Sequence, residues 1–342
     1  MTVIIRPQDK TLSTASIFTS YIETQKFPAG QYSAANAART TTMIRNKGVC
    51  CIVLALEENN PPVKFKTITY KSFSALPREA ALEKLGGVIE NNLKVTWEAV
   101  EYCGLSGHNY RLSSDVFPLI TYKAAAVNIE DLPNAAGIYE LLEIIKDTRK
   151  RYDVRISCHP DQFNVLASDN AEAVARSITE LNFQAWFMTQ IGCPLNYDAP
   201  LNIHINRSHK GELERVARLF NDSFKLLSDD ARLRLVLEND DKQAGWSVMD
   251  LYRMQHILST PITFDYLHHK CHPGNMPEDS ALVLASLTWG AHVPLFHYSE
   301  SIPGDKNPRK HADYATKLPE TYNKTFDLDF EFKMKEKSFK NL

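Results

Sequence analysis

The sequence predicts an α/β protein built as a single (β/α)8 barrel, with an extension at its N-terminus. Three observations predict it. Eight short apolar runs alternate with amphipathic stretches of helical spacing from about Gly48 to the C-terminus. Several of these runs end in a histidine or a carboxylate, as strands do when they deliver side chains to one mouth of a barrel. Neither GxGxxG nor GxxxxGK[ST] occurs, although a doubly wound open sheet binding a nucleotide would want one of them. The open sheet is the alternative architecture.

Residues 1–42 differ from the rest. Thr11 to Phe27 suits a short helix, and Ala34 to Thr42 is small, polar and poor in bulky apolar residues, so this part reads as an appended arm. The barrel domain is expected over 43–342. Val49 to Leu56 is continuously apolar, as in a strand covered on both faces. A long amphipathic helix follows from Leu76 to about Tyr102, with Leu82, Leu85, Ile89, Leu93 and Trp97 near helical spacing and Gly104 as its stop. Further strands are expected at Asn109–Leu112, Val154–Cys158, Leu201–Ile205, Leu233–Leu237, Pro261–Thr263, Val293–His297 and Phe326–Phe330. Helices are expected between them at Asn134–Arg149, Ala171–Thr189, Gly211–Leu227, Ser247–Leu258 and Asp279–Ser286.

The chain has 342 residues, 44% hydrophobic and 23% charged, an ordinary composition for a folded water-soluble chain. The net charge of -2 excludes a global basic field, so a nucleic-acid partner would need a local positive surface. The six cysteines are scattered without a framework spacing, which suits free thiols in a reducing compartment. No apolar run approaches the roughly 20 residues of a membrane span. The start, Met1-Thr-Val-Ile-Ile-Arg, lacks the basic region and long apolar core of a signal peptide. The expectation is a protein of the cytoplasm, or of whichever compartment holds its substrate, neither secreted nor bound to membrane.

The chemistry concentrates where strands end. Phe264 to Pro273 reads Phe-Asp-Tyr-Leu-His-His-Lys-Cys-His-Pro, placing Asp265 at the end of an apolar strand and His268, His269 and His272 in the loop beyond it. Elsewhere His159, His204, Glu238, His297, His311 and Glu331 occupy equivalent positions. With Asp265 and His268 this makes five imidazoles and three carboxylates from six or more loops, all aimed at one mouth. A single histidine is more often a satisfied core or surface residue; the coincidence of position carries the inference. Eight such groups exceed what one ion needs, so two or three divalent ions are expected. An all-nitrogen-and-oxygen donor set favours Mn²⁺, Zn²⁺ or Fe²⁺ over a thiolate site. Cys158 precedes His159, and strand alternation turns it to the opposite face. Clustered ions suit phosphate-ester hydrolysis, and they also serve sugar isomerisation.

Seven ordered stretches carry a resemblance: Arg111-Leu-Ser-Ser-Asp-Val-Phe-Pro118, Arg155-Ile-Ser-Cys-His-Pro-Asp-Gln-Phe163, Leu237-Glu-Asn-Asp-Asp241, Phe264-Asp-Tyr-Leu-His-His269, His297-Tyr-Ser-Glu300, His311-Ala-Asp-Tyr314 and Asp329-Phe-Glu-Phe-Lys-Met-Lys-Glu-Lys337. Together, from about Arg45 to Lys337, they resemble the UV damage endonuclease family. The resemblance implies a TIM barrel related to endonuclease IV-type enzymes. It implies a multi-metal site, often manganese, that nicks double-stranded DNA on the 5′ side of UV photoproducts (cyclobutane dimers and 6-4 photoproducts), leaving a 3′-hydroxyl and a 5′-phosphate. It maps the metal ligands onto His159, His204, Glu238, Asp265, His268, His297, His311 and Glu331, with Glu238 bridging, and catalytic roles onto Glu238, His311 and Glu331. It maps a wedge into the duplex onto Gln162 and Phe163, an amide and an aromatic suited to filling a gap and stacking in place of a base. Two positions depart from the family pattern. Tyr122 stands where the family has a histidine ligand, leaving a phenolate as the alternative ligand, and Leu295 stands where it has a lysine near the metals.

Arg207 and Lys210, and Lys306, Arg309 and Lys310, fall in loops beside the mouth and are candidates for phosphate contact. Lys333, Lys335 and Lys337 follow Glu331, partly as the solvated face of a terminal helix. His269 is expected to position its neighbours or a phosphate, and His272 to be a loop residue. The expected partner is DNA carrying UV lesions, without a nucleotide cofactor and with the protein a monomer. Two other readings stay open on the residues alone: a sugar or sugar-phosphate isomerase on the same barrel, and a DNA-damage binder that has lost catalysis.

Overall fold

Residues 43–340 and 342 are described in a computed structural model. The extension expected over 1–42, with its helix at Thr11–Phe27, lies outside the described residues.

Eight strands alternate with helices. The strands are β1 (Ile44–Cys50), β2 (Asn109–Leu112), β3 (Ile156–Cys158), β4 (Leu201–Ile203), β5 (Leu235–Glu238), β6 (Ile262–Thr263), β7 (Leu295–Tyr298) and β8 (Phe326–Phe330). They form one sheet in the order β6-β5-β4-β3-β2-β1-β8-β7, and every pairing is parallel. Its two ends meet through a parallel bridge between Asp265 and His297, where the His297 amide donates to the Phe264 carbonyl at 2.9 Å. The sheet thereby curls into the expected barrel, with β5 and β8 of the candidate site on nearly opposite sides of one ring.

The principal helices are α1 (Arg78–Ser106), α2 (Ala135–Tyr152), α3 (Ala171–Gln190), α4 (Leu213–Phe224), α5 (Val248–Arg253), α6 (Tyr266–Cys271) and α7 (Glu278–Leu287). Gly107, not Gly104, ends α1: it sits at φ 69°, and the His108 amide reaches back to the Cys103 carbonyl at 2.8 Å. Gly104 lies inside the helix because α2 passes there, and a Cβ on it would meet the Tyr152 Cβ at 2.4 Å. Of the apolar run at Val49–Leu56 only Val49 and Cys50 are strand. Cys51 turns to φ 64°, and Leu54–Glu57 forms one helical turn whose first amides, Leu54 and Ala55, donate to the buried Glu336 carboxylate at 3.0 and 2.8 Å. His268 and His269 are on α6 rather than in a loop, because Asp265 caps that helix by accepting from the His268 amide at 2.6 Å.

The end of the barrel opposite the candidate site is held by ion pairs. Asp327, fully buried near the start of β8, accepts from Arg45 at 2.6 Å and from Arg155 at 2.7 Å. Arg155 also donates to the Tyr197, Asp198 and Val293 carbonyls, tying four segments together with a planar, multiply donating cation. Among the described residues no helix is long and apolar enough to cross a membrane.

Candidate metal centre

Glu238 is the last residue of β5 and is 1% exposed. Its two carboxylate oxygens face different histidines. Oε2 lies 3.1 Å from His159 Nε2 and 3.0 Å from His297 Nδ1. Oε1 lies 3.1 Å from His268 Nδ1 and 3.7 Å from His204 Nε2. His159 and His204 are the first residues beyond β3 and β4, so short strands deliver both rings to the mouth. Asp265, just past β6, forms a third cluster with His297 and with Glu331, the first residue beyond β8. Three groups thus have ligand atoms within 4.8 Å of one another: His159–Glu238–His297, His204–Glu238–His268 and Asp265–His297–Glu331. Seven of the eight expected ligands are in them. The eighth, His311, sits at the rim with its Nδ1 2.6 Å from the Glu331 carbonyl and 3.9 Å from Glu331 Oε2.

The electrostatics follow from burying these charges together. Burial opposes ionisation of Glu238, but His297 and His204 outweigh it and hold the carboxyl well below its usual range. Burial likewise opposes protonation of His297, and Glu238 and Glu331 overcome it, raising its pKa to about 9. Glu331 is held low chiefly by Arg111 and His297 against the cost of burial. Asp265 is pushed up by burial, and its Oδ2 is enclosed without a hydrogen-bond partner. A buried cluster with an unpartnered carboxylate oxygen and only imidazole and carboxylate donors fits divalent cations, which would take the place of protons.

A second layer of residues holds these groups, and the sequence reading gave it no role. Asp240 Oδ1 lies 3.0 Å from His204 Nδ1, leaving Nε2 toward Glu238. The Pro160 carbonyl lies 2.9 Å from His159 Nδ1. The Asn202 amide donates to Glu238 Oε2, and Arg111 pairs with Glu331. Asn239 brackets Asp265, accepting its amide at 2.8 Å and donating to its carbonyl at 3.2 Å. Beneath the cluster Ser157 donates to Asp329 at 3.0 Å. The available signal was polarity inside apolar strands: Asn202 between Leu201 and Ile203, and Asp329 between Leu328 and Phe330. Cys158 faces outward as expected, its sulfur 3.7 Å from Gln184 of α3.

The family model described as UV-endonuclease UvdE matches residues 45–342. The chain belongs to this family. The UV DNA damage endonuclease of Bacillus cereus strain Q1 is 28% identical over 308 residues, covering 86% of this chain and 92% of that protein. The UV-damage endonuclease of Schizosaccharomyces pombe is 31% identical over 245 residues, 68% of this chain and 39% of that longer protein. The crystal structure of SacUVDE superimposes with a TM-score of 0.69 at 29% identity, covering 86% of this chain and 94% of that one. Most of this UvdE-family chain therefore has a solved counterpart of the same fold.

Around the mouth of this UvdE-family barrel the expected residues divide. Gln162 and Phe163 lie exposed on the loop after β3, Phe163 at 78%. Asp161 shapes that loop by accepting the Phe163 amide at 2.8 Å. Arg207 is less free than expected: it donates to the Ala167 carbonyl at 2.7 Å and pairs with Asp169 at 2.6 Å. Lys310 pairs with Asp305 at 3.0 Å, and Arg309 lies 3.6 Å from Asp241. Lys210 and Lys306 are exposed. His269 is 3% exposed and packs on Phe264, and burial lowers its pKa to about 4. His272 lies in the loop just past α6, as expected, and is buried there at 6% exposure. The Tyr122 ring is 48% exposed and stands edge-on to Tyr70. Leu295 opens β7 as a packed core side chain.

Proposed function

We propose that this UvdE-family chain is a metal-dependent DNA repair endonuclease that nicks duplex DNA on the 5′ side of UV photoproducts, leaving a 3′-hydroxyl and a 5′-phosphate. The observation that carries the reading is Glu238, whose two oxygens each serve a separate histidine pair at the mouth of the barrel. His159, His204, Glu238, Asp265, His268, His297 and Glu331 would hold two or three divalent ions, Mn²⁺ foremost, with Zn²⁺ or Fe²⁺ also suited to mixed imidazole and carboxylate donors. Bound there, the ions supply Lewis acidity to a phosphodiester.

The chain's own groups supply the rest. Glu238 spans the two halves of the centre. Arg111 and His297 keep Glu331 ionised. His311, its Nδ1 engaged by the Glu331 carbonyl, presents Nε2 for proton transfer at the rim. Gln162 and Phe163 project from the mouth and enter the duplex at the lesion. This exposed pair favours an open groove over the enclosed pocket that a sugar isomerase needs.

A duplex oligonucleotide containing one cyclobutane dimer tests the assignment. With Mn²⁺ the labelled strand is expected to be cut once, 5′ to the dimer, and the upstream fragment to be extended by a polymerase, which requires a 3′-hydroxyl. Binding without cutting under every divalent metal overturns the catalytic part.

A further inference from the structure

Two connections on the mouth side of the barrel, segments 64–71 and 112–123, together carry four lysines and a single acidic residue, Asp115. The first runs between β1 and α1, the second between β2 and α2. Each contains a Tyr-Lys pair, Tyr70-Lys71 and Tyr122-Lys123. The two tyrosine rings meet edge-on, with centroids 5.0 Å apart and planes at 62°. Tyr122 remains 48% exposed; Lys71 and Lys123, the sequence neighbours of the two tyrosines, are exposed, as is Lys66 earlier in the first connection. Unlike Arg207 and Lys310, none of these three lysines is paired with a carboxylate among the described residues.

The two connections are locked together by one buried side chain. Asn92 of α1 is fully buried. Its Oδ1 accepts from the Lys66 amide at 2.8 Å. Its Nδ2 donates to the Lys66 carbonyl at 3.0 Å and to the Asp115 carbonyl at 3.1 Å. An amide that satisfies backbone groups of both segments fixes their spacing, so the tyrosine pair and its lysines are set before any partner arrives. Unpaired cations flanking an exposed aromatic face match a nucleic-acid backbone and its sugar and base faces. In a chain of net charge -2 this strip is a local exception.

We propose that the Tyr70–Tyr122 pair, with Lys66, Lys71 and Lys123, is a second DNA-contact surface that grips one flank of the duplex, away from the lesion itself. The proposal rests on the DNA reading of the mouth. Lys71 and Lys123 contact phosphates, and Tyr122 packs on the exposed face of a sugar or base. The surface adds affinity without reading damage.

The test is binding of the full chain to matched duplexes with and without one photoproduct, by fluorescence anisotropy over a salt series. A Lys71→Ala/Lys123→Ala variant is expected to show a log–log salt slope shallower by about 2. Its affinity for both duplexes falls by the same factor, and the damaged-to-undamaged ratio stays as in the wild type. Tyr122→Ala is expected to lose about tenfold on both duplexes, whereas Tyr122→Phe keeps wild-type binding. A double variant with unchanged slope and affinity, in a protein that still nicks irradiated DNA, overturns this surface and leaves the proposed function standing. A wild-type protein that neither binds nor nicks irradiated duplex overturns both.

Discussion

His204 is fixed between two carboxylates: Nδ1 lies 3.0 Å from Asp240 Oδ1 while Nε2 faces Glu238 Oε1 at 3.7 Å. The outer contact selects the tautomer that leaves Nε2 free to bind an ion. Asp240→Asn is therefore expected to keep the fold and weaken Mn²⁺ binding by about 10- to 100-fold. Metal titration followed by calorimetry checks it. Wild-type affinity in the variant would show that Asp240 merely closes its loop, where it also accepts the Trp246 amide at 2.7 Å.

At the opposite end Asp327 answers for stability alone. Removing its charge leaves Arg45 and Arg155 without their shared partner, and Asp327→Asn is expected to cost about 3–5 kcal/mol, read as a lower midpoint in urea unfolding. Burial raises the pKa of this carboxyl, but the hydrogen bond from Arg45 and the charge of Arg155 outweigh it, so the folded value lies below the usual aspartate range. A depressed pKa gives stability that is present above the unfolded value and lost as pH falls through the folded one. The variant should accordingly show a flatter acid limb below about pH 4. An acid limb as steep as the wild type's would place the acid sensitivity elsewhere.

Metal removal should separate the two ends. If the centre holds its ions only when folded, Mn²⁺ at about 100 times its dissociation constant stabilises the chain by about 2.7 kcal/mol, and EDTA abolishes the gain. Glu238→Gln should lose most of that gain, because the carboxylate belongs to two of the three ligand groups. A thermal shift with Mn²⁺ equal in wild type and variant contradicts the assignment of Glu238.

Phe163 is 78% exposed and supports nothing in the core. Phe163→Ala is expected to change stability by less than about 0.5 kcal/mol. It should lower binding to photoproduct-containing duplex by about 1–3 kcal/mol relative to undamaged duplex. The ratio of the two dissociation constants is the readout, and an unchanged ratio removes Phe163 from lesion recognition.

Much of this architecture is readable from the residues because barrel strands impose a simple pattern. Asn109–Leu112 and Phe326–Phe330 are strands with the expected bounds, since Tyr110 and Leu112, and Phe326, Leu328 and Phe330, recur at the period of two that a strand imposes. The ligand-type residues stand out because each interrupts or follows such a run. Val49–Leu56 misled because hydrophobicity alone does not reveal the positive φ of Cys51 or the Glu336 cap that bends the chain into a helical turn. Gly104 misled because a glycine needed for close approach to Tyr152 looks, in sequence, like a helix stop. The pairing of Arg207 with Asp169 and of Lys310 with Asp305 depends on loop conformation, so those cations read as free in sequence and are engaged in the fold.

The most direct measurement of the central claim is the nicking of supercoiled plasmid, irradiated and unirradiated, by wild type and Glu238→Gln. Open-circle product is expected only from irradiated plasmid, only with a divalent metal and wild-type protein, and none with EDTA or with Glu238→Gln. Equal nicking of both plasmids, no nicking with Mn²⁺, Zn²⁺ or Fe²⁺, or full activity in Glu238→Gln would contradict it.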